Sequence, residues 1–209
     1  VRSLVVFAGP SLPPEDRIAA DGVTYRPSAR RGDVLDAARV ADYVLLIDGR
    51  FQEELAPAPK EVFEACRICG FAGAASIGAL RAVECAPYGA RAMGTIARWY
   101  GTGAVDGDDE VAVVMHPQQE CALSVPLVNV RYLLYRARKR HVVEDAEVER
   151  VLRRAREVFY AERTWDDVLE AAAREKRAAL LALIREGADL KRLDARFALR
   201  SSLRRLGRR

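Results

Sequence analysis

Runs of apolar residues and apolar residues at helical spacing take turns along the first 125 positions. Ser3 to Phe7, Val23 to Tyr25 and Tyr43 to Ile47 are short and continuously apolar or β-favouring, as strands buried on both faces of a parallel sheet are. Ile68 to Ala74 is a fourth such stretch, built from smaller residues. Between them, Val34 to Arg39, Val62 to Cys69 and Ile77 to Cys85 repeat apolar positions at helical intervals. In the last of these Ile77, Leu80 and Val83 share one side, and Arg81 and Glu84 the other. The alternation predicts an α/β fold: a Rossmann-like parallel sheet with helices on both faces, followed by a helical C-terminal region. The division falls at 1–125 for the α/β core and 126–209 for the helices. In the second part the pattern predicts helices from Leu127 to Lys139, Asp145 to Arg163, Trp165 to Gly187 and from Leu190 onward, with Arg200 to Arg209 fraying. Asp33 and Thr164 stand where N-caps belong, and Val111 to Val114 reads as a further strand.

Turn signals place the candidate chemistry. Gly9-Pro10-Ser11 follows the first strand, Asp48-Gly49 the third, and Ala75-Ser76 the fourth. In a parallel sheet, ligands sit beyond the carboxyl ends of the strands, so these three turns share one rim. Ser76 lies between a strand and a helix with small residues on both sides, as a nucleophile elbow requires. Ala74 replaces the first glycine of that motif. The N–H of Ile77, at the helix start, and those of the Gly9-Ser11 turn are candidate oxyanion donors. Alternatively, Gly73, Ala74, Ala75 and Gly78 are small only so that strand and helix can pack closely.

Charge and rare residue types narrow the choice. Residues 1–129 hold 12 Lys/Arg against 17 Asp/Glu, and residues 130–209 hold 22 against 13. The arginines of the second part are interleaved with acids and aromatics are few, so a solvated face or a docking face for an acidic protein is expected, not a nucleic-acid site. No apolar run approaches a membrane span and no signal-peptide pattern opens the sequence, so a cytoplasmic protein without a membrane role is expected. Of 34 basic residues, the four lysines are Lys60, Lys139, Lys176 and Lys191. Lys60 stands alone before residue 139 and follows two prolines at a predicted helix start. A lysine, unlike an arginine, can act as a base when buried; the alternative is a surface charge. His116 and His141 are the two histidines and so the two possible bases of a Ser-His-Asp arrangement. His116, at a predicted strand end, is the better candidate, His141 lies in a highly charged helical stretch, and a structural role is the expectation for both. Cys66-x-x-Cys69 is the only paired-cysteine spacing and falls at a helix end, which suits packing better than a metal or a redox pair. Gly73 to Gly78 has phosphate-loop spacing, but Ala79-Leu80 stands where Lys-Ser/Thr is required, so no nucleotide, metal or other cofactor is expected. Asp108, Asp109 and Glu110 are three successive carboxylates able to clamp a basic group or orient Arg81.

Taken in order, Phe7 to Leu12, Arg31-Gly32-Asp33, Leu46 to Phe51, Lys60-Glu61, Gly73 to Ala82 and Asp108 to Ala112 resemble the motifs of the TfuA-like family, over residues 1 to about 131. The resemblance implies a protein that works beside a YcaO-domain enzyme, which activates peptide backbone amides with ATP. It also implies help in installing sulfur as a peptide thioamide, in ribosomal peptide natural products or proteins, by cleaving a thiocarboxylated ThiS-like sulfur carrier. Its hydrolase-like site would be a Ser-Lys pair, carried here by Ser76 and Lys60. Ile77 departs from a common methionine and Pro59 from a common histidine. With Ser76 and Lys60 as the catalytic pair, Ile77, Gly9, Pro10, Ser11, Asp48, Arg81, Asp108, Asp109 and Glu110 are assigned to oxyanion binding and site support. Two rivals stand beside this reading: a binding module that recruits the peptide and activates the YcaO enzyme without turnover, and a small-molecule α/β hydrolase.

Overall fold

The computed structural model describes residues 2–51, 55–116 and 119–207. The chain forms two compact units, Val1–Asp108 with Lys191–Arg209, and Asp109–Leu190. The first unit is built on five parallel strands, β1 (Leu4–Phe7), β2 (Val23–Arg26), β3 (Tyr43–Leu46), β4 (Gly70–Ala74) and β5 (Arg91–Met93), in the order β2-β1-β3-β4-β5. The order reverses between β1 and β3. Their carboxyl ends therefore diverge into a crevice, the usual place for a site in such sheets.

Alternation within each strand decides what covers each face. Val5, Phe7, Val44, Leu46 and Phe71 point to the side covered by α1 (Asp33–Ala38), α2 (Pro59–Ile68) and α3 (Ile77–Glu84), where Val34, Val62, Ala65 and Ala82 meet them. Leu4, Val6, Leu45, Ile47, Ala72 and Ala74 point to the other side. There Ala195, Ala198, Leu199 and Leu203 cover them from the last helix, here named α9 (Leu190–Arg205). This corrects the division at residue 125: the last helix completes the α/β unit, because without it one face of a two-sided sheet would stand in water. It also does not fray over Arg200 to Arg205.

α4 (Gly94–Gly101) follows β5, and Asp194 of α9 caps its start, accepting the Ile96 N–H at 2.7 Å. The second unit holds α5 (Leu127–Lys139), α6 (Asp145–Glu157), α7 (Trp165–Glu170) and α8 (Arg174–Arg185) around Leu133, Leu134, Val151, Val168, Leu180 and Leu183. Thr164 caps α7 through a reciprocal box with Asp167. The expected helix from Trp165 to Gly187 is two helices. The Arg177 guanidinium donates to the Glu170 and Ala172 carbonyls, and the Ala173 N–H donates to the Glu147 carboxylate, so the chain breaks at 171–173. Helix α6 stops at Glu157, short of the expected Arg163. Arg163 is fully buried and donates to the Ala155, Val125 and Val158 carbonyls and to Asp109.

Two further expectations are corrected. Val111 to Val114 is not a strand. It leads into a local pairing of Met115 with Ala122, with the Val114 N–H held by Ser124 Oγ. The fifth strand is instead Arg91–Met93, whose first two residues are exposed. Asp33 is not the N-cap of α1 either. Gly32 holds that place at φ +95°, and the Asp33 carboxylate accepts the Arg30 N–H at 2.7 Å.

Candidate functional site

Ser76 sits where β4 turns into α3. Its N–H returns to the Ala74 carbonyl at 2.8 Å, closing a three-residue turn about Ala75. Ala75 has φ +66° and is fully buried. A γ-turn with positive φ at its centre is the rare, strained form, and an alanine there costs about 1–2 kcal/mol. The surroundings hold it in place. The Gly78 N–H donates to the Ile47 carbonyl, and a Cβ on Gly78 would lie 1.9 Å from the Leu46 oxygen. One on Gly73 would lie 2.0 Å from the Gly78 oxygen. Both glycines therefore serve close packing of α3 on β3 and β4, while the strain is confined to Ala75.

At the start of α3 the Gly78 N–H is taken by Ile47 and the Ala79 N–H by the Ser76 carbonyl. The Ile77 N–H donates to no acceptor among the described residues. It lies beside Ser76, in the position an oxyanion donor would need. The Gly9-Ser11 turn is different, and here the oxyanion expectation is corrected. The Gly9 and Ser11 N–H groups both donate to Asp48 Oδ2 at 3.0 Å, and Ser11 Oγ donates to Oδ1 at 2.7 Å. Pro10 has no N–H. Asp48 is 2% exposed. Its charge is met by three donors, so the turn is a clamp that ties the end of β1 to the end of β3, with no free N–H from Gly9 or Ser11.

Lys60 lies in the first turn of α2 and is exposed. The burial expected of it is therefore not found. Ser76 is the reverse: only 1% exposed, where an elbow would lift its hydroxyl clear. Among the described residues no hydrogen bond joins the two side chains. Their helices nonetheless start side by side. A Cβ on Gly49 would meet both Ile77 Cγ2, at 2.9 Å, and Pro57 Cδ, at 3.2 Å. Arg81 of α3 donates from Nε to the Pro57 carbonyl at 2.6 Å and from Nη1 to Glu84 at 2.8 Å. It is thus a strut between α3 and the approach to Lys60, oriented by Pro57 and Glu84. The acids expected to orient Arg81 have partners of their own. Asp109 meets Arg163 at 3.0 Å and Glu110 meets Arg131 at 2.6 Å, both within the second unit. Asp108 is exposed and opens the single 3-10 turn, Asp108–Glu110, that holds all three.

One residue escaped the sequence reading. Glu61, beside Lys60, is 8% exposed, and its Oε1 accepts the Val34 and Leu35 N–H groups of α1, at 2.8 and 3.3 Å. Its Oε2 is buried without a partner. As an acid in the first turn of α2 it looks like ordinary compensation of the helix dipole. Only the tertiary structure shows it fastening α1 to α2. A cleft of about 660 Å³, lined by Ser3, Arg39, Asp42, Cys66 and Cys69 among others, opens at the amino ends of β1, β3 and β4, the edge opposite Ser76. Burial pushes the thiols of Cys66 and Cys69 up to about 11, so they are packing residues and poor nucleophiles.

The family model described as TfuA-like protein matches residues 48–164, from the Asp48 clamp through Lys60, Ser76 and Arg81 to Thr164. The chain belongs to the TfuA-like family. This family is associated with YcaO-dependent thioamidation. In this TfuA-like protein the matched stretch takes in β4, α3 and most of the second unit, and ends at the N-cap of α7. No curated protein matches the chain. Among the described residues no helix is long and apolar enough to cross a membrane.

Proposed function

We propose that this TfuA-like protein is the partner of a YcaO enzyme in peptide backbone thioamidation and releases sulfide from a thiocarboxylated ThiS-like carrier. The observation that carries the reading is the strained turn at Ala75, which sets Ser76 directly before a helix start whose Ile77 N–H has no acceptor among the described residues. Strain of this kind persists where the surroundings over-determine it, commonly at reacting groups. The carrier tail enters at the carboxyl ends of β3 and β4, opens the cover over Ser76 and shields Lys60 from water. Lys60, neutral once desolvated, takes the Ser76 proton as Oγ attacks the thiocarboxylate carbon. The Ile77 N–H holds the resulting oxyanion. Lys60 returns the proton to sulfur, which leaves as hydrosulfide, and an acyl-enzyme remains. Water, deprotonated by Lys60, then frees the carboxylate carrier and restores the serine. The peptide substrate stays with the YcaO enzyme.

A second reading has its own support. The burial of Ser76 and the exposure of Lys60 suit a protein that recruits and activates the YcaO enzyme without turnover. The deciding experiment measures sulfide release from the carrier thiocarboxylate with the YcaO enzyme present, alongside carrier binding. Ser76→Ala and Lys60→Arg should each lose a factor of about 10² or more in release while retaining the carrier, and the double variant little beyond either. Release at the parent rate by Ser76→Ala, with thioamidation still dependent on the protein, would leave the second reading standing.

A further inference from the structure

Most of the net positive charge of residues 130–209 falls at their end, although α5 and α8 are basic as well. Residues 191–209 carry eight Lys/Arg against one acid, Asp194. Since the chain's formal charge is +4, the other 190 residues are net negative. Asp194 faces inward, 5% exposed, onto the start of α4. Lys191 is buried as well, so the basic outer side of α9 is made by Arg192, Arg196, Arg200, Arg204 and Arg205, with no acid of the helix itself among them.

That face also has a defined pattern. Its inner side, Ala195, Ala198, Leu199 and Leu203, is spent on the sheet. Outside, Arg196, Arg200 and Arg204 recur every fourth residue, about 6 Å apart along the axis. Leu193 and Phe197 form a parallel apolar row, 43% and 52% exposed. Arg192 is engaged by Glu15 and Asp16, and Arg196 reaches Asp16 at only 3.8 Å. Arg200 and Arg204 meet no carboxylate within ion-pair distance among the described residues. An apolar row beside a basic row calls for its complement.

We propose that the outer face of α9, centred on Phe197 and Arg200, docks an acidic amphipathic helix of a partner protein. Carboxylates one helical turn apart on that partner match the pitch of Arg196, Arg200 and Arg204, while an apolar side chain covers Leu193 and Phe197. Charge complementarity selects this occupant over the others. A phosphate backbone would satisfy the arginines but leave Leu193 and Phe197 against charged groups. A bilayer surface needs a broad apolar face, and the apolar face of α9 is already buried on the sheet. The proposal does not depend on chemistry at Ser76.

The test is fluorescence anisotropy with the full chain at physiological salt. The probe is a labelled helical peptide carrying a leucine row beside a glutamate row at helical pitch. Binding in the micromolar range is expected, weakened about tenfold or more by Phe197→Ser and by Arg200→Glu. A peptide of equal charge with serine for leucine should bind at least about tenfold more weakly. Both substituted side chains are exposed, and circular dichroism checks the fold of each variant. Absence of binding, equal binding by the leucine-free peptide, or indifference to either substitution would overturn the proposal. Tighter binding of duplex DNA, of single-stranded RNA or of phosphatidylglycerol vesicles would assign the face to that partner instead.

Discussion

Replacing Gly78 by alanine puts the packing of the Ser76 turn to a direct test. The added Cβ would fall 1.9 Å from the Leu46 carbonyl oxygen, 2.6 Å from its carbon and 3.0 Å from the Ile47 oxygen. These are backbone atoms where β3 ends, a strand paired on both sides with β1 and β4, so they cannot swing away as a side chain could. Reaching a tolerable separation requires α3 to retreat by about 1 Å or more, since overpacked cores relieve strain through backbone shifts. Such a shift costs typically about 1–3 kcal/mol, and immovable neighbours place this case at about 3. For a chain of this size, about 2–4 °C is lost per kcal/mol, so the melting temperature should fall by about 6–12 °C. The same movement carries Ser76 and the Ile77 N–H out of register, and a 1 Å misplacement can cost about 10²-fold in rate. Gly101→Ala is the internal control. Gly101 lies in α4 with nothing within 4 Å of the added Cβ, so it should be neutral or stabilising by up to about 1 kcal/mol. Scanning calorimetry and sulfide release on both variants give the comparison. A Gly78→Ala protein melting within about 1 °C of the parent would refute the close approach of α3 to β3, and with it the account of how Ser76 is held.

Asp194 gives a pH signature. Desolvation raises its carboxyl above the ordinary value of 3.8, against the opposing hydrogen bonds from Ile96 and Thr95. The folded chain therefore keeps this proton to higher pH than the unfolded one. The stabilisation is complete below the unfolded value and is lost as pH rises through the raised folded value. Asp194→Asn retains an acceptor for α4 but cannot ionise, so parent and variant stabilities should diverge as pH rises through that window, the parent losing more. Parallel urea curves across it would refute this. The cleft thiols supply a chemical check. With Cys66 and Cys69 held at about 11, their alkylation by iodoacetamide at mildly alkaline pH should run about 10²-fold slower than that of an ordinary cysteine. Mass spectrometry of labelled peptides reads the rates, and rapid labelling of either would contradict their role as packing residues.

Much of the first unit is legible because its short apolar runs alternate with stretches of helical spacing and are punctuated by turn residues. Arg91–Met93 escapes because two of its three residues are exposed at the sheet edge. Val111 to Val114 misleads for the opposite reason, since an apolar run reads the same whether it joins a sheet or packs locally. Sequence placed Gly9, Ser11 and Asp48 at one rim, but which donors remain free depends on a hydrogen bond between residues 39 positions apart. Similarly, the scarcity of lysine marked Lys60, whereas its exposure follows from where α2 begins against its neighbours. Asp194 was open to detection: a lone acid among eight cations invites a search for an N–H to cap.

Placing α9 on the sheet sets a schedule for the chain's synthesis. The five strands are complete by Met93, yet the helix that covers Leu4, Val6, Leu45 and Ile47 begins at Leu190. A ribosome must deliver the whole second unit first. At about 5–20 residues per second, the roughly 100 intervening residues take on the order of 5–20 s. During that interval one apolar face of the nascent sheet has no cover from its own chain, which is the condition under which exposed hydrophobic surface and strand edges aggregate.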